Sequence, residues 1–151
     1  MRSGAFLAFL LLLAATPALA QAPTAPHVSL TSEQAVRAQM EALTNNNDPY
    51  GDPGIEVVWR FASSENKVFT GPLGRFKQMM RGPVYGPMTG HRSAAYEIIF
   101  ADSGEAVIDV ILRTPGGAFA GYRFRLSRKK GGRYDACWMT DAVVPIEVTS
   151  I

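Results

Sequence analysis

The chain has 151 residues, a formal net charge of +2 that includes Arg2, and one cysteine, Cys137. A chain of this length corresponds to a single domain with its own hydrophobic core. The near-neutral charge argues against a nucleic-acid binder that works by neutralising phosphates, and a lone cysteine cannot form an internal disulfide.

Residues 1–20 have the three parts of a cleavable secretory signal peptide. Arg2 supplies the positive charge, residues 5–15 are an apolar run, and Ala18-Leu19-Ala20 is a small-x-small cleavage site. A membrane-spanning helix needs about 20 apolar residues, and Thr16-Pro17 interrupts the run before that length. We therefore expect this segment to direct export to the periplasm and then to be cleaved. After cleavage, no association with the membrane is expected.

The segment after the signal peptide is rich in proline and small residues. Residues 21–29 include Pro23 and Pro26, and they are predicted to form a flexible tether. Residues 30–151 are then predicted to be a single α+β domain, because no repeat, low-complexity tract or second linker interrupts them.

Three helices are predicted in the first half of the domain. Thr31 and Gln34 have the spacing of a capping box, and Pro72 suits the first turn of the last helix. The spacing of apolar residues and the positions of glycine and proline place these helices at residues 31–44, 55–63 and 72–81.

From His91 onward the hydrophobic pattern changes to a period of two, which predicts strands. Their ranges are residues 91–101, 105–114, 118–127 and 134–145. One face of the first strand is predicted to carry Ala94, Tyr96, Ile98 and Phe100. Helices followed by strands predict an α+β fold, in which three N-terminal helices pack on one face of a strongly curved, four-stranded antiparallel meander.

Strand alternation also predicts which side chains face the helices. In the third strand the inward set is predicted to be Tyr122, Phe124 and Leu126. In the last strand the two alternating sets are Trp138, Thr140 and Ala142 on one face and Cys137, Met139 and Asp141 on the other. Trp138 is expected to face the helices, because burial of a large aromatic side chain removes the most apolar area from water.

Several short segments resemble a known family. They are Arg60-Phe61-Ala62-Ser63, Thr70-Gly71-Pro72 with Arg75-Phe76, and Tyr85-Gly86-Pro87, and they resemble domain of unknown function 4864, a family of short exported bacterial proteins. Helices followed by a long meander are also similar to the nuclear transport factor 2-like, or cystatin-like, superfamily. The resemblance covers about residues 32–145, and it implies a cone of sheet and helices. It implies no single activity, because that superfold includes isomerases, dehydratases, binding proteins and dimerisation modules.

The interior of such a cone is the predicted ligand site, since small-molecule sites are concave, apolar and supplied with a few polar groups. The predicted ligand-binding residues are Phe61, Tyr85, His91, Tyr122, Phe124, Trp138 and Thr140. This favours a non-catalytic module that binds a small molecule or a protein partner.

An alternative function is a proton-transfer enzyme of the isomerase or dehydratase type that uses the same cavity. The candidate acid and base groups are His91, Tyr85 and Asp141, and Asp141 or Glu65 would orient the histidine. Such an enzyme needs two of these groups within hydrogen-bonding distance of each other in a cavity.

No metal or cofactor is predicted. The two histidines and one cysteine have no metal-ligand spacing, and the nicotinamide, flavin and haem motifs are missing. Asn46, Asp48 and Asp52 supply oxygen atoms of the kind that calcium binds, but Tyr50 and Val57 occupy ligand positions of the calcium-loop pattern. A turn explains this segment equally well.

A homodimer is the remaining partner prediction. The outer face of the sheet must be polar or covered, and Val107, Ile111 and Met139 are predicted to line a partner surface there. Cys137 is expected to be a half-buried strand residue that packs as a small hydrophobic group.

Overall fold

A computed structural model describes residues 20–46 and 51–149, so most of the predicted signal peptide lies outside the described residues. Within them the chain is an α+β domain with four α-helices and a four-stranded antiparallel sheet that is not closed. The helices are α1 (Ser32–Thr44), α2 (Pro53–Phe61), α3 (Ser64–Thr70) and α4 (Leu73–Arg81), followed by a 3-10 turn, Gly86–Met88. The strands are β1 (Ser93–Ala101), β2 (Glu105–Arg113), β3 (Phe119–Arg128) and β4 (Trp138–Ile146), paired in that order.

The segment predicted to be a tether, residues 21–29, contains no helix or strand. Its first residues lie beside α1 and α2, where the Arg60 guanidinium donates a hydrogen bond to the carbonyl of Thr24 at 3.2 Å. None of the helices in residues 20–46 and 51–149 has the length and apolar character needed to cross a membrane.

The capping box predicted for α1 is confirmed. The Gln34 amide N–H donates to the Thr31 hydroxyl at 3.1 Å, and the Thr31 amide N–H donates to the Gln34 side chain at 2.9 Å. These two bonds satisfy backbone donors that the first helical turn leaves free. The buried face of the helix carries Val36, Met40 and Leu43, as the apolar spacing predicted.

The prediction of three helices is wrong in number, because the chain forms α3 in addition. The backbone turns extended at Ala62, which ends α2, and the Ser63 side chain then caps α3 by accepting from the Asn66 amide at 3.1 Å. No residue of α3 is buried. The helix therefore has no apolar face packed against the core, and its sequence lacks the apolar periodicity from which helices are predicted. Its N-terminus is fixed to the sheet instead, where the Ser63 amide donates to the Thr140 carbonyl at 2.9 Å.

Two helices approach each other closely at Gly54. A Cβ atom on Gly54 would lie 2.2 Å from the carbonyl oxygen of Ala42, on α1. Only a residue without a side chain permits this contact between α1 and the start of α2.

A bulge in β1 overturns one predicted face. Ile98 pairs with the buried Ile108, but the register then shifts, and Phe100 pairs with Val107. Because successive residues of a strand point to opposite faces, Phe100 lies on the outer face of the sheet, and it does not share a face with Ala94 as predicted.

A second bulge, in β4, divides another predicted set. Leu126 pairs with Thr140, whereas Arg125 pairs with Ala142, so Asp141 is the extra residue. Ala142 therefore lies on the outer face with Arg125, and it does not share the face of Thr140 as predicted.

The core lies between the helices and the inner face of the sheet. The predicted inward residues of β3, which are Tyr122, Phe124 and Leu126, all belong to it. Trp138 is 5% exposed and also belongs to this core, which confirms the face expected for it.

Candidate functional site

A cavity of about 50 Å³ lies between the four helices and the last two strands. Its wall combines aromatic residues, methionines and four neutral polar residues, and none of its lining residues is charged. The half-buried members mark the side that faces solvent, and they are Asn66, Thr70, Met79, Tyr85 and Val143. A water molecule occupies about 30 Å³ of liquid, so this space suits an ion, a few waters or a ligand of a few non-hydrogen atoms.

The floor of the cavity is a buried hydrogen-bonded pair, Gln39 on α1 and Thr140 on β4. Gln39 is 0% exposed, and its amide nitrogen donates to the Ala35 carbonyl at 3.0 Å and to the Thr140 hydroxyl at 2.9 Å. A buried side-chain amide needs such partners, because its desolvation is otherwise uncompensated. The pair connects two elements that are 101 residues apart in the sequence.

The remaining polar groups of the wall are also bonded to the protein. The Asn66 side-chain amide donates to the Thr140 carbonyl at 3.1 Å. The Thr70 hydroxyl donates to the Asn66 backbone carbonyl at 3.1 Å, and the Tyr85 hydroxyl donates to the Val143 carbonyl at 2.9 Å. Because these hydroxyl groups already donate their hydrogen atoms to protein carbonyls, they can only accept a hydrogen bond from a ligand. Burial raises the pKa of Tyr85, which keeps its hydroxyl in the neutral form.

Three of the seven predicted ligand-binding residues line this cavity, namely Tyr85, Phe124 and Thr140. The other four lie elsewhere. Phe61 and Trp138 are buried in the core, and the Tyr122 hydroxyl donates to the Val84 carbonyl at 2.7 Å. His91 is 7% exposed, and its Nδ1 lies 2.8 Å from the Met88 carbonyl oxygen.

Other lining residues were missed by the sequence analysis. They are Gln39, Asn66 and Thr70 among the polar ones and Met79, Met80 and Met88 among the apolar ones. One signal was present, because Gln39 lies one helical turn from Ala35 and from Leu43, on the apolar face of α1. A polar residue on a buried helix face has a partner inside the fold.

Comparison with family models, curated proteins and solved structures finds no match to this chain. The resemblance described above therefore rests on its own sequence segments. The chemistry of the cavity follows from the residues that line it.

The three candidate acid and base groups are not brought together. His91 precedes β1 and Asp141 lies in β4, and these are the two edge strands of the sheet. Three strand spacings of about 4.8 Å separate those edges. Tyr85 is bonded to the Val143 carbonyl, and Glu65 lies 3.3 Å from Lys129, so neither orients the histidine.

Asp141 instead belongs to a polar cluster at the bulge of β4. Its carboxylate accepts from the Ser127 hydroxyl at 2.5 Å and lies 2.9 Å from Lys129 Nζ. Burial alone would raise the pKa of Asp141, but hydrogen bonds from Ser127, Lys129 and Ser63 and the charge of Lys129 outweigh it. The pKa is therefore lowered from its ordinary value of 3.8.

This lowered pKa predicts acid sensitivity. A group whose pKa is lower in the folded state stabilises the fold above its unfolded pKa, so this contribution should be lost as the pH falls below about 4. The free energy of unfolding should therefore fall between pH 6 and pH 3, and it should fall less in Asp141→Asn than in the natural protein. We expect a difference of up to about 1 kcal/mol, because the carboxylate is partly exposed. Urea denaturation of both proteins at the two pH values measures this. Identical pH dependence in the two proteins would contradict it.

The segment that provides oxygen atoms for a calcium loop is used within the fold. The Asn46 side-chain oxygen accepts from the amides of Gly54 at 2.9 Å and Ile55 at 3.2 Å, at the start of α2. Asp52 forms an ion pair with Arg81. Asp48 and Tyr50 lie outside the described residues. In residues 20–46 and 51–149, no three His, Cys, Asp or Glu side chains are grouped as metal ligands.

Cys137 is buried, 4% exposed. Burial raises the pKa of its thiol, and the charge of Asp135 raises it further. The thiol is therefore neutral at physiological pH, which makes it a poor nucleophile. The prediction of a half-buried strand residue is wrong on both points, because Cys137 is more deeply buried and directly precedes β4.

The outer face of the sheet combines an ion pair with exposed apolar side chains. Arg123 donates two hydrogen bonds to Asp109, at 2.7 and 2.8 Å. Phe100 is 47% exposed and Val144 is 42% exposed. Val107 and Ile111, two of the residues predicted to line a partner surface, are half-buried on this face. The third residue of that prediction was wrong, because Met139 is 2% exposed and has no surface to offer.

Proposed function

We propose that this protein is an exported, non-catalytic module that binds a small ligand in the cavity above Gln39 and Thr140. The observation that carries the proposal is a fully buried polar pair at the floor of an otherwise apolar cavity. Small-molecule sites have this composition, with a few fixed polar groups among apolar ones. Export to the periplasm rests on the signal-peptide pattern of residues 1–20.

The finer fold proposal is a cone of the nuclear transport factor 2-like kind, related to domain of unknown function 4864. Support comes from helices that cover one face of a four-stranded antiparallel meander, and from the bulges in β1 and β4, which increase the local twist of a sheet. A proton-transfer enzyme has less support. Its candidate groups His91 and Asp141 lie at opposite edges of the sheet.

Native mass spectrometry of the protein purified from the periplasm tests ligand binding. We expect a retained mass in the natural protein that is lost in Val143→Phe, because Val143 lines the cavity and a larger side chain would fill it. Val144→Phe is the matched control, since Val144 is the next residue of β4 and lies on the outer face, 42% exposed. A bare natural protein, or a mass retained equally in both variants, would count against the proposal.

A second candidate function is assembly into a homodimer through the outer face of the sheet. Glu97 and Arg125 both lie on this face, and neither has an ion-pair partner within the described residues. In a two-fold symmetric contact, each glutamate could meet the arginine of the other copy. The same mass spectra report whether the protein is a monomer or a dimer.

A further inference from the structure

Three methionines meet at the cavity. Met79 and Met80 lie in the last turn of α4, and Met88 belongs to the 3-10 turn that follows. The chain between them folds back, with the Gly86 amide donating to the Gly82 carbonyl at 2.8 Å. Met80 is 3% exposed and Met88 is 1% exposed, and all three residues line the cavity.

The presence of three methionines at one cavity indicates the chemical class of the ligand. The sequence has six methionines, and three of them line a cavity of about 50 Å³. Thioether sulfur is a soft metal ligand that suits Cu(I), whereas hard divalent ions such as calcium need several oxygen ligands that include carboxylates. No carboxylate lines the cavity.

The polar part of the wall agrees with a positively charged occupant. The hydroxyl groups of Thr70, Tyr85 and Thr140 donate to protein acceptors, so the hydrogen-bonding capacity that remains to their oxygen atoms is that of acceptors. The volume also favours an ion, because cavities that hold drug-sized organic ligands measure about 300–1,000 Å³.

We propose that the ligand of this cavity is a soft monovalent metal ion, Cu(I), bound by the thioethers of Met79, Met80 and Met88. This inference rests on the proposed ligand-binding function, and it names the chemical class of the ligand. Sequence motifs for metal sites are based on the spacing of cysteine and histidine ligands. The proposed site uses methionine ligands, so the spacing of cysteine and histidine did not predict it.

An anaerobic Cu(I) titration against the chromogenic chelator bicinchoninate tests the site. All proteins carry Cys137→Ala, so that the thiol makes no contribution. We expect the parent protein to bind one Cu(I), and the triple variant Met79→Leu, Met80→Leu, Met88→Leu to bind it at least 100-fold more weakly. Methionine-to-leucine exchange nearly conserves volume, so the triple variant should fold, and its thermal unfolding checks that.

The matched control is the double variant Met40→Leu, Met139→Leu. Both residues are buried methionines, 0% and 2% exposed, and neither lines the cavity. We expect its Cu(I) affinity to stay within about threefold of the parent, a difference of less than 1 kcal/mol. X-ray absorption at the copper edge should report sulfur ligands in the parent protein.

The outcomes separate the two proposals. Absence of Cu(I) binding by the parent, or equal binding by the triple variant, overturns the metal site. If a retained mass is nevertheless lost in Val143→Phe, the cavity binds another ligand, and the proposed function stands without the metal. Loss of Cu(I) binding in Val143→Phe, with binding kept in Val144→Phe, supports both.

Discussion

Replacement of Phe124 by alanine should destabilise the domain by about 3–5 kcal/mol, the range measured for deletion of a buried phenylalanine side chain. Phe124 is 0% exposed and lies on the inner face of β3, opposite Ile108 and Val143. It also forms part of the cavity wall. Its deletion therefore removes apolar contacts and enlarges an existing space, and both effects lower the stability of the folded state.

Urea denaturation measures this loss, and Phe119→Ala is the matched control. Phe119 begins the same strand, is 56% exposed and stacks against the guanidinium of Arg113. Its replacement should cost less than about 1 kcal/mol, because little area is lost from the interior. Similar losses for the two variants would show that the inner face of β3 does not carry the core.

Replacement of Gly54 by alanine should cost about 1–3 kcal/mol or more, because the added methyl group has no space. Its Cβ would lie 2.2 Å from the Ala42 carbonyl oxygen, and this atom belongs to backbone that cannot rotate away. The helices α1 and α2 would have to separate. The hydrogen bond from the Gly54 amide to Asn46, at 2.9 Å, would then lengthen.

Gly74→Ala is the control, and it should change stability in the opposite direction. Gly74 lies in the first turn of α4, and a Cβ atom there would meet nothing within 4 Å. Alanine has the higher helix propensity and restricts the unfolded chain, so this variant should gain about 0.5–1 kcal/mol. Thermal unfolding of both variants compares them directly. A stable Gly54→Ala protein would contradict the close contact between α1 and α2.

The order of helices and strands could be predicted from local sequence patterns. The predictions that were wrong concern features that leave no local pattern in the sequence. The capping box of Thr31 and Gln34 and the period-two strands identify the order of elements. The helix α3 was missed, because Ser63 caps it directly after Ala62 and none of its residues is buried. Bulges depend on strand pairing, so alternation alone could not place Phe100.

The site could be predicted only in part for a related reason. Strand alternation identified Phe124 and Thr140, which point from the sheet into the cavity. The partner of Thr140 is Gln39, 101 residues earlier, and no sequence spacing connects them. The methionines were not identified as a group, because their common position depends on how α4 and the 3-10 turn fold back on each other.

The link between α2 and α3 also determines how copies of this protein could join. Ala62 forms a parallel bridge with Thr140, and the Ser63 amide donates to the Thr140 carbonyl, so another part of the chain already binds the outer edge of β4 near the start of the strand. Within the described residues, the outer edge of β1 has no such partner. A fibre that grows by strand addition needs two open edges per copy, and the segment bound at Thr140 obstructs addition at one of them. Edge-to-edge association would therefore favour a pair of molecules joined through β1.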